Sequence, residues 1–328
     1  MSKKYLVTGA AGFIASRVCR ELLDDGHHVV GVDNLNDYYD IRLKKWRLSQ
    51  FNRHENAENF CFQKLDIEQQ DDLKSLFDGQ GPFNAVLNLA GRAGVRYSME
   101  NPHVYLSTNT EGTLNLLECM RASKCNKLVL ASTSSLYAGQ TMPFAEDLAV
   151  NQPLSPYAAS KKAAELMAYS YHKLYGIDVS VVRYFTVYGP AGRPDMSPYR
   201  FIKWIAEEET IQMFGDGSQS RDFTYVDDIA RGSVAAIKEV GYEIINLGGG
   251  RNPVSLNAII ERLESLLGKK AYIVQKPFHI ADLQETWADI DKAMNLLGWA
   301  PRVSLDEGLA KSVQWYLDNR EFLRDIAV

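Results

Sequence analysis

Apolar residues are spaced along this chain in two alternating rhythms. Short β-rich runs stand at YLVT (5–8), HVVGV (28–32), FCFQKL (60–65), AVLNLA (85–90), KLVLAS (127–132) and VSVVRY (179–184). Between them, near 12–25, 40–53, 69–78, 101–122 and 156–175, apolar positions recur at helical spacing. The runs read as strands and the intervals as amphipathic helices. Alternation of this length predicts a parallel sheet covered by helices on both faces, joined by right-handed connections.

After residue 184 the pattern loosens. A Gly/Pro loop, VYGPAGRPDMSPY (187–199), precedes an apolar helix near 199–208, and FGDGSQSRDF (214–223) reads as another loop. EIINLG (243–248) has the character of a strand that rejoins the sheet, and the chain ends in a helical SLDEGLAKSVQWYLDN (304–319). The expected division is a Rossmann-type doubly wound domain over 1–184 with a return segment near 221–248. A smaller, discontinuous C-terminal lobe over 185–220 and 249–328 would bind substrate.

Composition narrows the function classes. The 328 residues are 46% apolar and 23% charged with a net charge of -5, which argues against nucleic acid or an anionic membrane as partner. No apolar run reaches the roughly 18 residues of a membrane span. MSKKYLVTGAAGF leads straight into the first strand without an apolar signal segment, so a cytoplasmic location is expected. Four cysteines and six histidines show no metal-ligand spacing, and buried free thiols are the expected state.

TGAAGFIA (8–15) sits between the first strand and the first helix. Gly9 permits a tight turn, Gly12 lets backbone approach a pyrophosphate, and the helix N-terminus offers amide groups to the anion. Ala15 stands where a third glycine is usual. Asp33 ends the second strand, 21 residues past Gly12, about where an acid bonds an adenosine ribose. Its charge disfavours a 2′-phosphate, so NAD is the expected cofactor. Asp66 reads equally as a ligand for the adenine edge or a turn residue.

SPYAASKKAAE (155–165) places Tyr157 and Lys161 one helical turn apart. Tyr169/Lys173, Tyr199/Lys203 and Tyr272/Lys276 share the spacing. Tyr157 differs from them by position. Ser155 suits an N-cap and Pro156 a first helical residue, so the pair lies at the start of a helix that follows the fifth strand. Open α/β sheets bind ligands at that edge. A free tyrosine has a pKa near 10, too high for a base at neutral pH, and Lys161 with the positive nicotinamide ring of NAD⁺ is expected to favour phenolate and lower it.

TGAAGFIA, NLAG (88–91), NTEGTLNLLE (109–118), ASTSSLY (131–137), YAASK (157–161), RYFTVYGP (183–190) and RDFTYVDD (221–228) come in this order. Together they resemble the extended short-chain dehydrogenase/reductases, the NAD-dependent nucleotide-sugar epimerases and dehydratases. The resemblance covers essentially the whole chain. NLNDYYD (34–40), AGVRYSMENP (93–102) and FTVYGPAGRPDM (185–196) resemble the branch acting on UDP-glucuronate.

The resemblance implies a set of roles. Tyr157, Lys161 and Thr133 are the implied catalytic group. The phenol exchanges a proton with the sugar hydroxyl while Thr133 hydrogen-bonds the reacting oxygen. Phe13, Ile14, Ile67, Leu89 and Ala90, with Tyr157 and Lys161 themselves, join Gly9, Gly12, Asp33 and Asp66 around NAD. Asn109 matches a structural asparagine, though its residue type also suits a helix cap.

Dehydratases carry an Asp–Glu pair after the position of Thr133, and decarboxylating relatives a Glu at that of Ser135. Here Ser134 and Ser135, both implied substrate contacts, follow Thr133, which points to simple epimerisation at C4, interconverting UDP-glucuronate and UDP-galacturonate. Arg193 matches an arginine near the sugar carboxylate and Thr186 its partner, although an Arg in a Gly/Pro loop is more often solvated. Arg221 matches a diphosphate ligand and Asp282 a uridine-ribose ligand. Phe214 reads as a uracil platform or a core residue, and Arg96 as a sugar or phosphate contact or a surface residue. HIAD (279–282) departs from the Gln/Arg–x–Gly–Asp common in relatives. A homodimer through helices near 101–122 and 156–175 is implied. Other readings are an epimerase of another UDP-sugar (glucose/galactose or N-acetylhexosaminuronate type) and a non-catalytic NAD-binding protein.

Overall fold

The computed structural model describes residues 2–250, 253–278 and 283–328. Its strands, in chain order, are β1 (Lys4–Thr8), β2 (His28–Asp33), β3 (Phe60–Lys64), β4 (Ala85–Asn88), β5 (Lys127–Thr133), β6 (Asp178–Tyr184) and β7 (Thr186–Tyr188). There follow β8 (Thr210–Phe214), β9 (Ser220–Arg221), β10 (Phe223–Tyr225), β11 (Tyr242–Leu247), β12 (Val254–Ser255) and β13 (Tyr272–Lys276). Seven of them form one sheet in the order β11-β6-β5-β4-β1-β2-β3. Every pairing in it is parallel. The doubly wound α/β architecture expected from the alternation is therefore present, and the 243–248 run does rejoin the sheet, beside β6.

The period-2 pattern of the strands decides which core each residue enters. In β1, Tyr5 and Val7 pack into one apolar cluster and Leu6 into another. In β6, Val182 joins the first and Val181 the second. The first cluster collects Val18, Leu22 and Leu23 of helix Phe13–Asp24, and Ile229 of helix Val226–Ala235. The second collects Leu73 and Leu76 of helix Gln70–Gln80, and Leu116 and Leu117 of helix Gly112–Ser123. Two filled faces explain why the strands read as continuous apolar runs.

A third cluster is built from Tyr199, Ile202 and Ile205 of helix Ser197–Ala206, Ile211 and Met213 of β8, Ile259 and Leu263 of helix Leu256–Leu267, and Leu309 and Val313 of helix Leu305–Asp318. Leu43 of helix Ile41–Phe51 also enters it, which links this cluster to the second βα unit.

The long helix expected near 101–122 is present as one continuous helical run over 103–123 that changes pitch partway. It consists of His103–Tyr105, a π-helical turn at Leu106–Glu111 and helix Gly112–Ser123, and a short separate helix, Val95–Glu100, precedes it. Asn109 sits in the wide turn and bonds outward. Its Oδ1 accepts from Arg92 N at 2.8 Å, and its Nδ2 donates to Arg92 O at 3.0 Å and Ser160 Oγ at 2.9 Å. A π-bulge aims such a side chain away from the regular helix face.

Candidate active site

A cavity of about 700 Å³ opens at the C-terminal ends of β1, β2, β4, β5 and β6. It is lined at the cofactor side by Gly9, Gly12, Phe13, Ile14, Asp33, Asp66, Ile67, Leu89 and Ala90. Gly9 holds φ +72, and a Cβ there would lie 2.9 Å from Ala90 N, so both the turn and the close approach of the segment following β4 require glycine. Gly12 N donates to Gly9 O at 2.7 Å and closes the turn. Helix Phe13–Asp24 then begins with no side-chain cap and no acidic residue in its first turn. Its amide groups are thus left for an anion. Ala15, in place of the third glycine, is 2% exposed and its methyl is absorbed into the first core.

Asp33 is 8% exposed; its Oδ2 accepts from Ala11 N at 3.2 Å and its Oδ1 from Leu35 N at 2.8 Å. Lys44 Nζ, buried, stands 3.6 Å from Asp33 Oδ1. Asp66 serves as a turn residue and also reaches the cavity wall. It accepts from Glu68 N at 3.0 Å and Asn34 Nδ2 at 2.8 Å. A glycine turn, an uncapped helix start and a carboxylate at the tip of β2 in one cavity fit a dinucleotide such as NAD.

The putting together of Tyr157, Lys161 and Thr133 is the work of two elements. Thr133 ends β5, and its Oγ1 accepts from Ser135 N at 3.1 Å. Ser155 caps helix Pro156–Tyr175, its Oγ accepting from Ala158 N at 3.1 Å, with Pro156 as the first helical residue. All three side chains line the cavity, as do Ser134 and Ser135. The other spaced pairs do not reach this edge. Lys173 Nζ stacks 5.5 Å over the exposed Tyr169, Tyr199 lies in the third core, and Tyr272 is exposed on β13.

Burial raises the Tyr157 phenol above its ordinary 10, opposed by a hydrogen bond with Thr133 and the charge of Arg193. The ammonium of Lys161 donates instead to Ala131 O at 3.1 Å, and burial pulls it down to about 8 against the pull of Glu165. One turn above Lys161's base, Glu165 is clamped by Arg183, with Nε to Oε1 at 2.9 Å and Nη2 to Oε2 at 2.8 Å, both side chains 1% exposed. Ser132 Oγ adds a bond to Glu165 Oε1 at 2.7 Å. This pair fixes the helix against β5 and β6.

Thr186, Arg96, Arg193, Phe214 and Arg221 line the opposite side of the same cavity. Arg193 is not solvated, as a loop arginine would be. Its Nε donates to Asp195 Oδ1 at 3.0 Å and its Nη2 to Asp195 Oδ2. Its Cζ lies 5.7 Å from the Tyr38 ring centre. Phe214 is half-buried rather than a core residue, and the Arg96 guanidinium lies 4.0 Å over its ring. Arg221 Nη1 donates to Ser220 O at 2.8 Å. Asp282, with the rest of 279–282, lies outside the described residues.

Lys44, Arg92, Asp195 and Arg200 line the cavity too, and nothing in the sequence pattern singled them out. The Nε atoms of Arg92 and Arg200 are buried without a hydrogen-bond partner. Arg200 stacks 4.6 Å over Trp204, on the same helix face. Their i,i+4 spacing in an apolar helix was the available signal.

The sequence profile of the NAD dependent epimerase/dehydratase family matches residues 5–248. The UDP-glucuronate 4-epimerase of Thermodesulfobacterium geofontis (strain OPF15) is 60% identical over 324 residues, covering 99% of each chain. The crystal structure of UDP-glucuronic acid 4-epimerase from Bacillus cereus, in complex with UDP-glucuronic acid and NAD, is similar with a TM-score of 0.89 at 38% identity. That match covers 96% of this chain and 99% of the other. UDP-glucose 4-epimerase from Thermotoga maritima, with UDP-glucose, matches at a TM-score of 0.86 and 30% identity, covering 97% of this chain and 99% of that one.

Proposed function

The chain belongs to the NAD dependent epimerase/dehydratase family, and from that premise we propose that it interconverts UDP-glucuronate and UDP-galacturonate by epimerisation at C4. It is an NAD-dependent UDP-glucuronate 4-epimerase in activity. One observation carries the reading: Tyr157 and Thr133 meet in the cavity that also holds the glycine turn of residues 9–12.

Gly9, Gly12, Asp33 and the start of helix Phe13–Asp24 would hold NAD, which when bound would supply the hydride chemistry at C4. The chain's own residues handle the proton and the geometry. Tyr157 takes the C4 hydroxyl proton and gives it back after the sugar has turned over. Thr133 hydrogen-bonds the reacting oxygen and favours the phenolate. Lys161 anchors on Ala131 and holds the helix start at a fixed height above β5.

Ser134 and Ser135 place no carboxylate beside C4, so neither water elimination nor decarboxylation is assisted. The 4-keto sugar acid is a β-keto acid prone to lose CO₂, and Thr186 and Arg193 hold its carboxylate out of the aligned geometry. Arg is suited to that grip by its planar fork. Arg96, Phe214, Arg221 and Asp282 serve the nucleotide. The segments 1–184 and 221–248 form the cofactor part, and 185–220 with 249–328 the nucleotide-sugar lobe.

The chain acts as a cytoplasmic homodimer, paired through helix Pro156–Tyr175 and the helices near 101–122. Support for that surface comes from Leu106, Leu166, Leu174 and Tyr175, which are exposed there. Among the described residues no helix is long and apolar enough to cross a membrane.

The test is incubation with UDP-glucuronate, UDP-glucose and UDP-xylose without added NAD, followed by separation of the sugars. UDP-galacturonate forming from the first is the expected result. Turnover of a neutral sugar alone points to a sister epimerase, and no turnover despite bound NAD to a non-catalytic protein. Deuterium carried at C4 is retained in the product; its loss to solvent contradicts the mechanism.

A further inference from the structure

Arg47 lies on helix Ile41–Phe51, 2% exposed, and no ion pair with a carboxylate compensates it among the described residues. A buried charge of this kind is expensive unless its donors are all used. Those of Arg47 are spent on two loops far apart in sequence. Nη1 donates to Ala11 O at 3.0 Å and to the Tyr39 hydroxyl at 2.6 Å. Nε and Nη2 donate to Ala191 O at 3.1 and 2.8 Å, and Nη2 also to Gly192 O at 3.2 Å.

Ala11 belongs to the glycine turn of the cofactor side. Gly192 immediately precedes Arg193, and Ala191 is held at φ 57, a left-handed conformation that alanine adopts only under constraint. One rigid fork therefore joins the loop facing the cofactor's pyrophosphate to the loop carrying Arg193. On the same helix, burial lowers Lys44, with Asp33 raising it and Arg47 among the charges pushing it down. The glycine turn is thus backed by two cations and one carboxylate, an excess of positive charge that a pyrophosphate would balance.

Resting on the function proposed above, we infer that Arg47 is a positioning residue for sugar-acid recognition. It sets the place of Arg193 through the backbone at 191–192 and ties that place to the seating of NAD through Ala11. Binding of the cofactor and of the sugar acid are then coupled, and the coupling is reciprocal. A neutral UDP-sugar, which does not use Arg193, is outside it.

The experiment measures binding of UDP-glucuronate and UDP-glucose to the holoenzyme by calorimetry, in wild type, Arg47→Lys and Tyr39→Phe. The fraction of NAD retained after gel filtration, with and without each sugar, is a second readout. Lys keeps the charge but loses the fork; Phe leaves Arg47 in place and removes one acceptor. We expect Arg47→Lys to weaken UDP-glucuronate about tenfold and UDP-glucose under about twofold, the scale of one charged hydrogen bond. Tyr39→Phe moves both in the same direction by less. UDP-glucuronate protects NAD from loss in wild type and fails to do so in Arg47→Lys.

In an Arg193→Ala background, Arg47→Lys leaves the acid-to-neutral ratio unchanged. Equal weakening of both sugars, or the same ratio change without Arg193, means a merely structural role and overturns the inference. A wild type that binds UDP-glucose but not UDP-glucuronate overturns the proposed function and this inference with it. A wild type preferring the acid, with that preference intact in Arg47→Lys, overturns the inference alone.

Discussion

Lys161 points its ammonium at the carbonyl of Ala131, 3.1 Å away, and not at the phenol one helical turn before it. The groups that favour Tyr157 phenolate in the chain itself are Thr133 and Arg193. The role of Lys161 is thereby separated from that of Tyr157, and the two are open to separate tests.

Tyr157→Phe removes the proposed proton acceptor while keeping the ring packed edge-on against Tyr105, 5.9 Å between centres. Epimerisation should fall by about 10³-fold or more, within the range of general acid–base contributions. NAD content and affinity for UDP-glucuronate should stay near wild type, checked by calorimetry.

Thr133→Val deletes the bond that lowers the phenol's pKa. Burial then acts with less opposition, so the pKa rises further. The rate at pH 7 should drop and the ascending limb of the pH–rate profile should move to higher pH. A profile that keeps its midpoint would remove Thr133 from that role.

Lys161→Met tests the burial of the ammonium. The folded pKa, about 8, lies below the ordinary 10.5, so the unfolded chain binds more protons between these values. Wild-type stability should therefore rise as pH increases from about 8 to 10.5. At pH 7 the buried charge costs about 3 kcal/mol, offset by about 1 kcal/mol for the Ala131 bond. The Met variant should be the more stable at pH 7 by urea unfolding, with the difference vanishing near pH 11, and its turnover should be strongly reduced.

Asp195→Asn weakens the fork that holds Arg193. The freed guanidinium should bind UDP-glucuronate more tightly, by about tenfold, with little change for UDP-glucose. Arg193→Ala should do the reverse, raising KM for the acid by about 10–100-fold. Competition between the two sugars reads both effects.

Glu165→Ala leaves Arg183 buried without its carboxylate. Loss of one partner from a buried pair costs about 3–5 kcal/mol. A loss of unfolding free energy of this scale, read by urea unfolding, without a change in KM for the protein that remains folded, is the expected outcome.

Much of this protein is set by local pattern. Alternation of Tyr5 and Val7 with Leu6 assigns β1 to two cores, and the same arithmetic places Val181 and Val182. Gly9 and Gly12 identify the turn: Gly9 holds a positive φ and lies against Ala90, and a Cβ on Gly12 would lie 2.8 Å from Gly9 O. Ser155 and Pro156 mark a helix start, and the strand before it puts Tyr157, rather than Tyr169, at the ligand edge. Each of these follows from periodicity, backbone freedom or capping, which act over a few residues.

Other features were decided only when distant segments met. Arg96 covers Phe214 from across the chain, Arg47 reaches Ala191 over 144 positions, and Asn109 sits in a π turn whose widened pitch accompanies its bonds to Arg92 and Ser160. Arg193 and Asp195 are near in sequence, yet their pairing depends on a loop whose shape is held from helix Ile41–Phe51. Spacing along a chain states which faces residues share. Where a long polar side chain ends is settled by the donors, acceptors and burial that the folded neighbours supply.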